Sequence, residues 1–216
     1  MTIITGQERE AVYKTIYSRR DVRSQFIARP IEDDVLMRIL TAAHHAPSVG
    51  FSQPWDFIVI EDSAVKSEIK QAFDEANQEA ADMFEGERKA LYQKLKLQGI
   101  FEAPINLCIT CDRTRNGPVV LGKTHQKDMD IYSTVCAVQN LWLAARAENI
   151  GVGWVSIIDL DELKRILKIP EHIVPIAYLC VGYVSEFDEK PELEKMGWLS
   201  RDALEPLIHK DTYKNK

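Results

Sequence analysis

The chain has 216 residues, 45% of them hydrophobic and 28% charged, with a formal net charge of -6. That length suits a single domain over residues 1–216, and no stretch approaches the roughly 20 apolar residues of a membrane helix. An acidic chain without a basic tail is not expected to bind nucleic acid, so any anionic ligand has to be small and locally held. The opening "MTIITGQERE" lacks the basic-then-apolar design of a secretory leader, and a cytoplasmic location is expected.

Taken in chain order, the first unusual stretch is "SRRDVR", residues 18–23, which packs three arginines around Asp21. A guanidinium is a rigid fork of donors suited to phosphate oxygens, and an anion would relieve the repulsion among three of them. A solvated basic helix end partly neutralised by Asp21 explains the same residues. The segment "PIEDDVLMRILTAAHHAPS" predicts a helix, with Pro30 in a starting position, Ile31, Val35, Leu36, Ile39, Leu40 and Ala43 at helical spacing, and Pro47 as the stop. "APSVGFSQPW" places Ser48, Gly50, Ser52 and Gln53 in a loop where small residues let backbone amides approach a ligand, and "WDFIVIED" follows as a strand.

Residues 63–98, interrupted at Gly86, carry a weak apolar stripe and predict one or two solvent-facing helices acting as a flap. "PINLCITCD" predicts a buried strand. Side chains alternate along a strand, so Cys108 and Cys111 face opposite ways and cannot share a metal. Cys136 and Cys180 stand alone, and His44 and His45 have no acidic partner at metal spacing; no metal site is expected. A polar loop leads to a helix over 130–149, apolar on nearly every side and so expected to be central and buried. In "IGVGWVS", Gly151 and Gly153 are expected to turn the chain sharply into a strand. A short helix, "DLDELKRILKI", and a last strand, "VPIAYLCVGYV", complete the order. Without a run of βαβ units, this predicts an α+β sandwich of helices on a mostly antiparallel sheet.

The arginine cluster, the serine-containing loop ending in QPW and the later G-x-G after a long helix resemble, in that order, the nitroreductase flavoprotein family, and the likeness extends over residues 13–208. The resemblance implies FMN and an intertwined homodimer with two flavin sites at the subunit interface. Three features depart from the ordinary pattern: Asp21 within the arginine motif, a loop without the usual asparagine, and Ser156 after the glycines. They resemble a branch of the family in which reduced FMN is consumed as a substrate, with dioxygen, to give a benzimidazole for cobalamin and erythrose 4-phosphate.

On that resemblance Asp21 and Ser156 are the catalytic candidates, Asp21 as general base. Flavin contacts are implied from Arg19, Arg20, Asp21, Val22 and Arg23, and from Pro47, Ser48, Val49, Gly50 and Gln53. Gly153, Val155 and Ser156, together with Lys96 and Arg201, complete the implied set, although Lys96 as a solvated lysine and Arg201 as a surface arginine explain those two as well. A separate flavin reductase is the implied source of reduced FMN. Two other functions fit the same residues: an NAD(P)H-dependent nitroreductase or flavin reductase that recycles FMN, and a non-catalytic flavin-binding module.

Overall fold

A computed structural model describes residues 3–213. The apolar runs form β1 (Trp55–Ile60), β2 (Ile105–Asp112), β3 (Ile150–Val155) and β4 (Ile173–Tyr183). They make one sheet in the order β1-β2-β4-β3, with every neighbouring pair antiparallel. Around it lie α1 (Gly6–Ser18), α2 (Asp33–His44), α3 (Ser63–Asp82), α4 (Gly86–Tyr92), α5 (Met129–Ala147), α6 (Leu160–Leu167) and α7 (Glu192–Lys195). The α+β sandwich expected from the element order is the architecture found.

Side-chain alternation gives the sheet two cores. On one face Leu107, Ile109, Val152, Leu179 and Val181 meet α2 and α5. The period of α2 brings Val35, Ile39 and Ala43 inward, and α5 answers with Ala137, Val138, Leu141 and Ala145. On the other face Cys108, Tyr178 and Cys180 meet Ile69, Ala72 and Phe73 of α3 and Leu163 and Ile166 of α6. Burying each large apolar side chain contributes roughly 1.5–3 kcal/mol. The two cysteines of "CITC" do face opposite ways: Cys108 lies in the second core, while the Cys111 thiol bonds Thr134 of α5.

Three expectations are corrected here. Residues 63–98 are not all solvent-facing, because α3 buries Ile69 and Phe73 in the second core and is a structural layer of the sandwich. Leu97 and Gln98 pack inward as well, whereas between Met83 and Gln93 the chain is mostly exposed. There Phe84, Tyr92 and Trp198 form an aromatic cluster with ring centroids 5.0–6.2 Å apart, and Arg88 covers Trp198 at 3.7 Å, so the C-terminal segment ties α4 down.

Second, α5 is buried along one face only; Tyr132 and Val135 point outward and Leu143 lines an apolar groove shared with α1. Third, α2 begins at Asp33, after Glu32 as its cap, and not at Pro30. α1, which the sequence periodicity did not reveal, starts on a capping box: Glu8 N donates to Thr5 Oγ1 at 3.3 Å and Thr5 N to Glu8 Oε2 at 2.7 Å. It buries no side chain, which is why no apolar stripe announced it.

Candidate functional site

α1 ends because Arg19 leaves helical geometry for an extended one, with ψ 135°. The following residues run along the outer edge of β3. Val22 N donates to Val152 O at 3.0 Å, and Asp21 makes a parallel bridge to Val152. Room for this comes from the glycines of β3. A Cβ on Gly153 would stand 2.0 Å from Val22 O, and one on Gly151 would stand 2.5 Å from a Val184 methyl. The G-x-G is thus strand, not turn: Asn149, at φ 58°, makes the entry into β3.

Seated this way, Asp21 is held at both oxygens. Oδ1 accepts from Trp154 N at 2.9 Å, and Oδ2 accepts from Arg23 Nη2. Residues two apart in extended backbone share a side, which is what lets Arg23 reach back to Asp21. The other nitrogen of Arg23, Nη1, donates to Glu192 Oε2 of α7 at 3.2 Å. Burial raises the pKa of Asp21; Arg23, the Trp154 N–H and Arg19 offset part of that rise, and Glu192 adds to it.

Arg19 and Arg20 turn elsewhere. Arg19 lies over the Trp142 ring at 4.6 Å, a cation–π contact. Arg20 donates through Nη1 to Tyr17 O at 2.9 Å and through Nη2 to Glu189 O, while its Nε is buried without a partner among the described residues. Together with Arg201 they line a cavity of about 550 Å³. Burial, and then Arg20 and Arg201, hold Arg19 below the ordinary arginine pKa, and Asp21 only partly compensates. Three guanidinium groups around one space, one with an unused buried N–H, fit the phosphate of a small ligand.

The other predicted cluster is not brought to this place. In the loop that carries Pro47, Val49 N donates to Ser133 Oγ at 3.0 Å and Gln53 N to Ser48 Oγ at 3.0 Å. Ser133 sits in the first turns of α5, whereas Trp142, whose Nε1 donates to Arg20 O, is nine residues further on. At 1.5 Å per residue the two predicted clusters lie about 14 Å apart along α5. Gly50, Phe51 and Gln53 all have positive φ, and a Cβ on Gly50 would come within 2.8 Å of Leu121 O. Arg115 and Asn116, which the sequence did not single out, hold this strained backbone: Arg115 Nη1 donates to Gln53 O at 2.9 Å and Asn116 Nδ2 to Ser52 O at 2.8 Å.

Of the remaining predicted residues, Lys96 pairs with Glu102 at the surface. Val155 and Val22 bury their side chains, so only their backbones remain for a ligand. Ser156 is exposed, two residues beyond Trp154, at a cavity of about 90 Å³ that Tyr178 also lines. Arg201 does come to Arg19 and Arg20. Glu192 gave no sequence signal, being one acid among many and 169 positions from Arg23. Among the described residues, no three His, Cys, Asp or Glu side chains are grouped to hold a metal ion, and no helix is long and apolar enough to cross a membrane.

The family model described as the nitroreductase family matches residues 16–183, which include the arginine cluster, the loop at 47–53 and β3. The chain belongs to the nitroreductase family. It is an oxidoreductase, and its family supports flavin binding. It is 42% identical over 183 residues to a protein of Rhodospirillum rubrum named 5,6-dimethylbenzimidazole synthase, covering 85% of this chain and 86% of that one. A protein of the same name from Rhodobacter capsulatus is 36% identical, over 88% of this chain and 91% of its own.

The crystal structure of an iodotyrosine deiodinase bound to FMN and 3-iodo-L-tyrosine superposes with a TM-score of 0.73 at 21% identity, over 94% of this chain and all of that one. Nitroreductase A from Vibrio parahaemolyticus gives a TM-score of 0.71 at 20% identity, over 95% of this chain and 78% of that one. At those identities the likeness is one of fold.

Proposed function

We propose that this chain is a 5,6-dimethylbenzimidazole synthase: it binds reduced FMN as a substrate and, with dioxygen, fragments it to 5,6-dimethylbenzimidazole and erythrose 4-phosphate. The observation that carries the reading is Asp21, a carboxylate with raised pKa fixed at both oxygens beside a three-arginine cavity. The relatives named for this activity support it.

Reduced FMN supplies the electrons and the carbon skeleton of the product. Arg19 and Arg201, with Arg20 behind them, would hold its phosphate. The Trp154 N–H and Arg23 fix the direction of the Asp21 carboxyl, and its raised pKa suits it to take a proton and give it back. Ser156, exposed just beyond Trp154, would offer a hydroxyl to the ring. A separate flavin reductase supplies the reduced flavin in this reading.

A second copy of the chain completes the site in the same proposal. The loop at 47–53 lies at the far end of α5 from Asp21, so the loop that meets the ring comes from the partner. The apolar groove of about 310 Å³ between α1 and α5, lined by Val12, Ile16 and Leu143, gives such a partner a surface to cover. Sedimentation at twice the chain mass is the expected result, and a monomer at micromolar concentration would refute it.

The deciding experiment mixes photoreduced FMN with the protein in air and follows products by mass spectrometry. 5,6-Dimethylbenzimidazole is expected, and Asp21→Asn should lower its rate by about 10²-fold or more while reduced FMN still binds. Intact oxidised FMN with steady NADPH consumption would instead identify a flavin-recycling reductase. Stoichiometric FMN binding without turnover would identify a binding module.

A further inference from the structure

Arg23 stands between two carboxylates. Nη2 serves Asp21 and Nη1 serves Glu192, while its Nε is buried without a partner among the described residues. The Arg23 side chain is 9% exposed, that of Glu192 19% and that of Asp21 30%, so water screens this arrangement only in part. Glu192 arrives on the C-terminal segment, which also brings Glu189 O to Arg20 and Arg201 to the arginine cavity.

We propose that Glu192 is a positioning residue for the reaction: by drawing half of the Arg23 guanidinium to itself, it leaves Asp21 incompletely neutralised and so able to accept a proton. A lone Arg23–Asp21 pair would lock Asp21 in its charged form and make it a poor base. Sharing the guanidinium, with a second negative charge behind it, works in the opposite direction.

The other charged and titratable groups around Asp21 act alike with or without Glu192. Arg19, on its own segment, favours the carboxylate. From β3 comes only the Trp154 N–H. From β4 comes Cys180, a buried thiol pushed up to about 12 and therefore neutral. Beyond it, Glu102 is matched by Lys96, and on the α7 side Lys195 is matched by Asp188. Glu192 is thus the acid whose removal changes the charge that Arg23 presents to Asp21.

The kinetic part of this inference rests on the function proposed above, but its direct test does not. The Asp21 carboxyl carbon is titrated by NMR in protein carrying ¹³C-labelled aspartate, with its signal assigned by loss in Asp21→Asn. Glu192→Gln keeps an acceptor for Arg23 and removes the charge; Glu192→Ala removes both. Both variants are expected to lower the Asp21 midpoint by about one pH unit, and the acid limb of the benzimidazole-forming rate should move with it. A midpoint unchanged within a few tenths of a unit, an upward movement, or a shift in Glu192→Ala alone would overturn the proposal, since anchoring of α7 would then be the whole role of Glu192. If the parent returns reduced FMN intact, the proposed activity fails while the titration still decides the role of Glu192.

Discussion

Replacing Gly153 by alanine tests the seating of Asp21 most directly. The added Cβ would lie 2.0 Å from Val22 O and 3.2 Å from the Val22 carbonyl carbon, both backbone atoms that cannot rotate aside. Val22 is itself pinned by its N–H to Val152 O, so relief requires the segment carrying Asp21 to leave β3. Forcing one methyl into packed structure costs typically 1–3 kcal/mol, and an overlap with backbone belongs at the top of that range. At about 3 kcal/mol, and 2–4 °C per kcal/mol for a chain of this size, the melting temperature should fall by about 6–12 °C.

Gly151→Ala meets a Val184 methyl at 2.5 Å, a side chain that can yield, and should lose less than half as much. Differential scanning calorimetry on both variants, with the benzimidazole-forming rate measured well below each melting point, gives the comparison. Activity in Gly153→Ala should drop at least tenfold, because the Trp154 N–H no longer meets Oδ1 when the segment moves. A Gly153→Ala variant that melts within 1 °C of the parent and turns over normally would show that Val22 does not sit against β3, and the account of Asp21 would fall with it.

Two further outcomes are expected. Asp130, 4% exposed, has its pKa pushed up by burial and pulled further down by Lys123, the Ile131 N–H and Arg113, so that the net movement is downward. A carboxylate held below its ordinary value contributes stability above pH ~4 that is lost as pH falls through the lowered value. Asp130→Asn should therefore cost about 3 kcal/mol in urea unfolding at pH 7, with the gap to the parent narrowing as pH falls below about 4; a constant gap would refute the coupling. Arg201→Gln should weaken reduced-FMN binding about tenfold or more by anaerobic titration while the melting temperature stays within 2 °C, since Arg201 is exposed and has no carboxylate partner among the described residues.

Much of the sandwich was legible because its signals are local. The i, i+4 spacing of Val35, Ile39 and Ala43 marked the inner face of α2, and the largely apolar run through Cys108, interrupted only by Asn106 and Thr110, marked a buried strand. What failed to read locally failed for stated reasons. α1 has no buried face to give it a stripe. α3 buries only five of its twenty residues, so its charged side outweighed Ile69 and Phe73 in the sequence. Gly151 and Gly153 suggested a turn because glycine is the usual turn residue, yet the demand on them is space for a neighbouring strand edge. Of the candidate site, the arginine cluster and Asp21 stood out by their charge, whereas Glu192 and the clamp formed by Arg115 and Asn116 are set by long-range contacts that spacing does not encode.

An acid in the middle of three arginines divides their charge into two pools. Arg20 is committed to backbone carbonyls, Tyr17 O at the end of α1 and Glu189 O, which favours a cation where the helix dipole is negative. Arg23 is committed to Asp21 and Glu192. Only Arg19 remains without a carboxylate or carbonyl partner among the described residues, and it faces the cavity to which Arg201 comes from the far end of the chain. Were position 21 neutral, Arg23 would keep Glu192 as its carboxylate partner, and Arg19 would lose the acid that partly offsets its burial. In the proposed synthase Arg19, Arg20 and Arg201 would then form the cationic phosphate end, while Arg23 and the Trp154 N–H fix the direction of the Asp21 carboxyl.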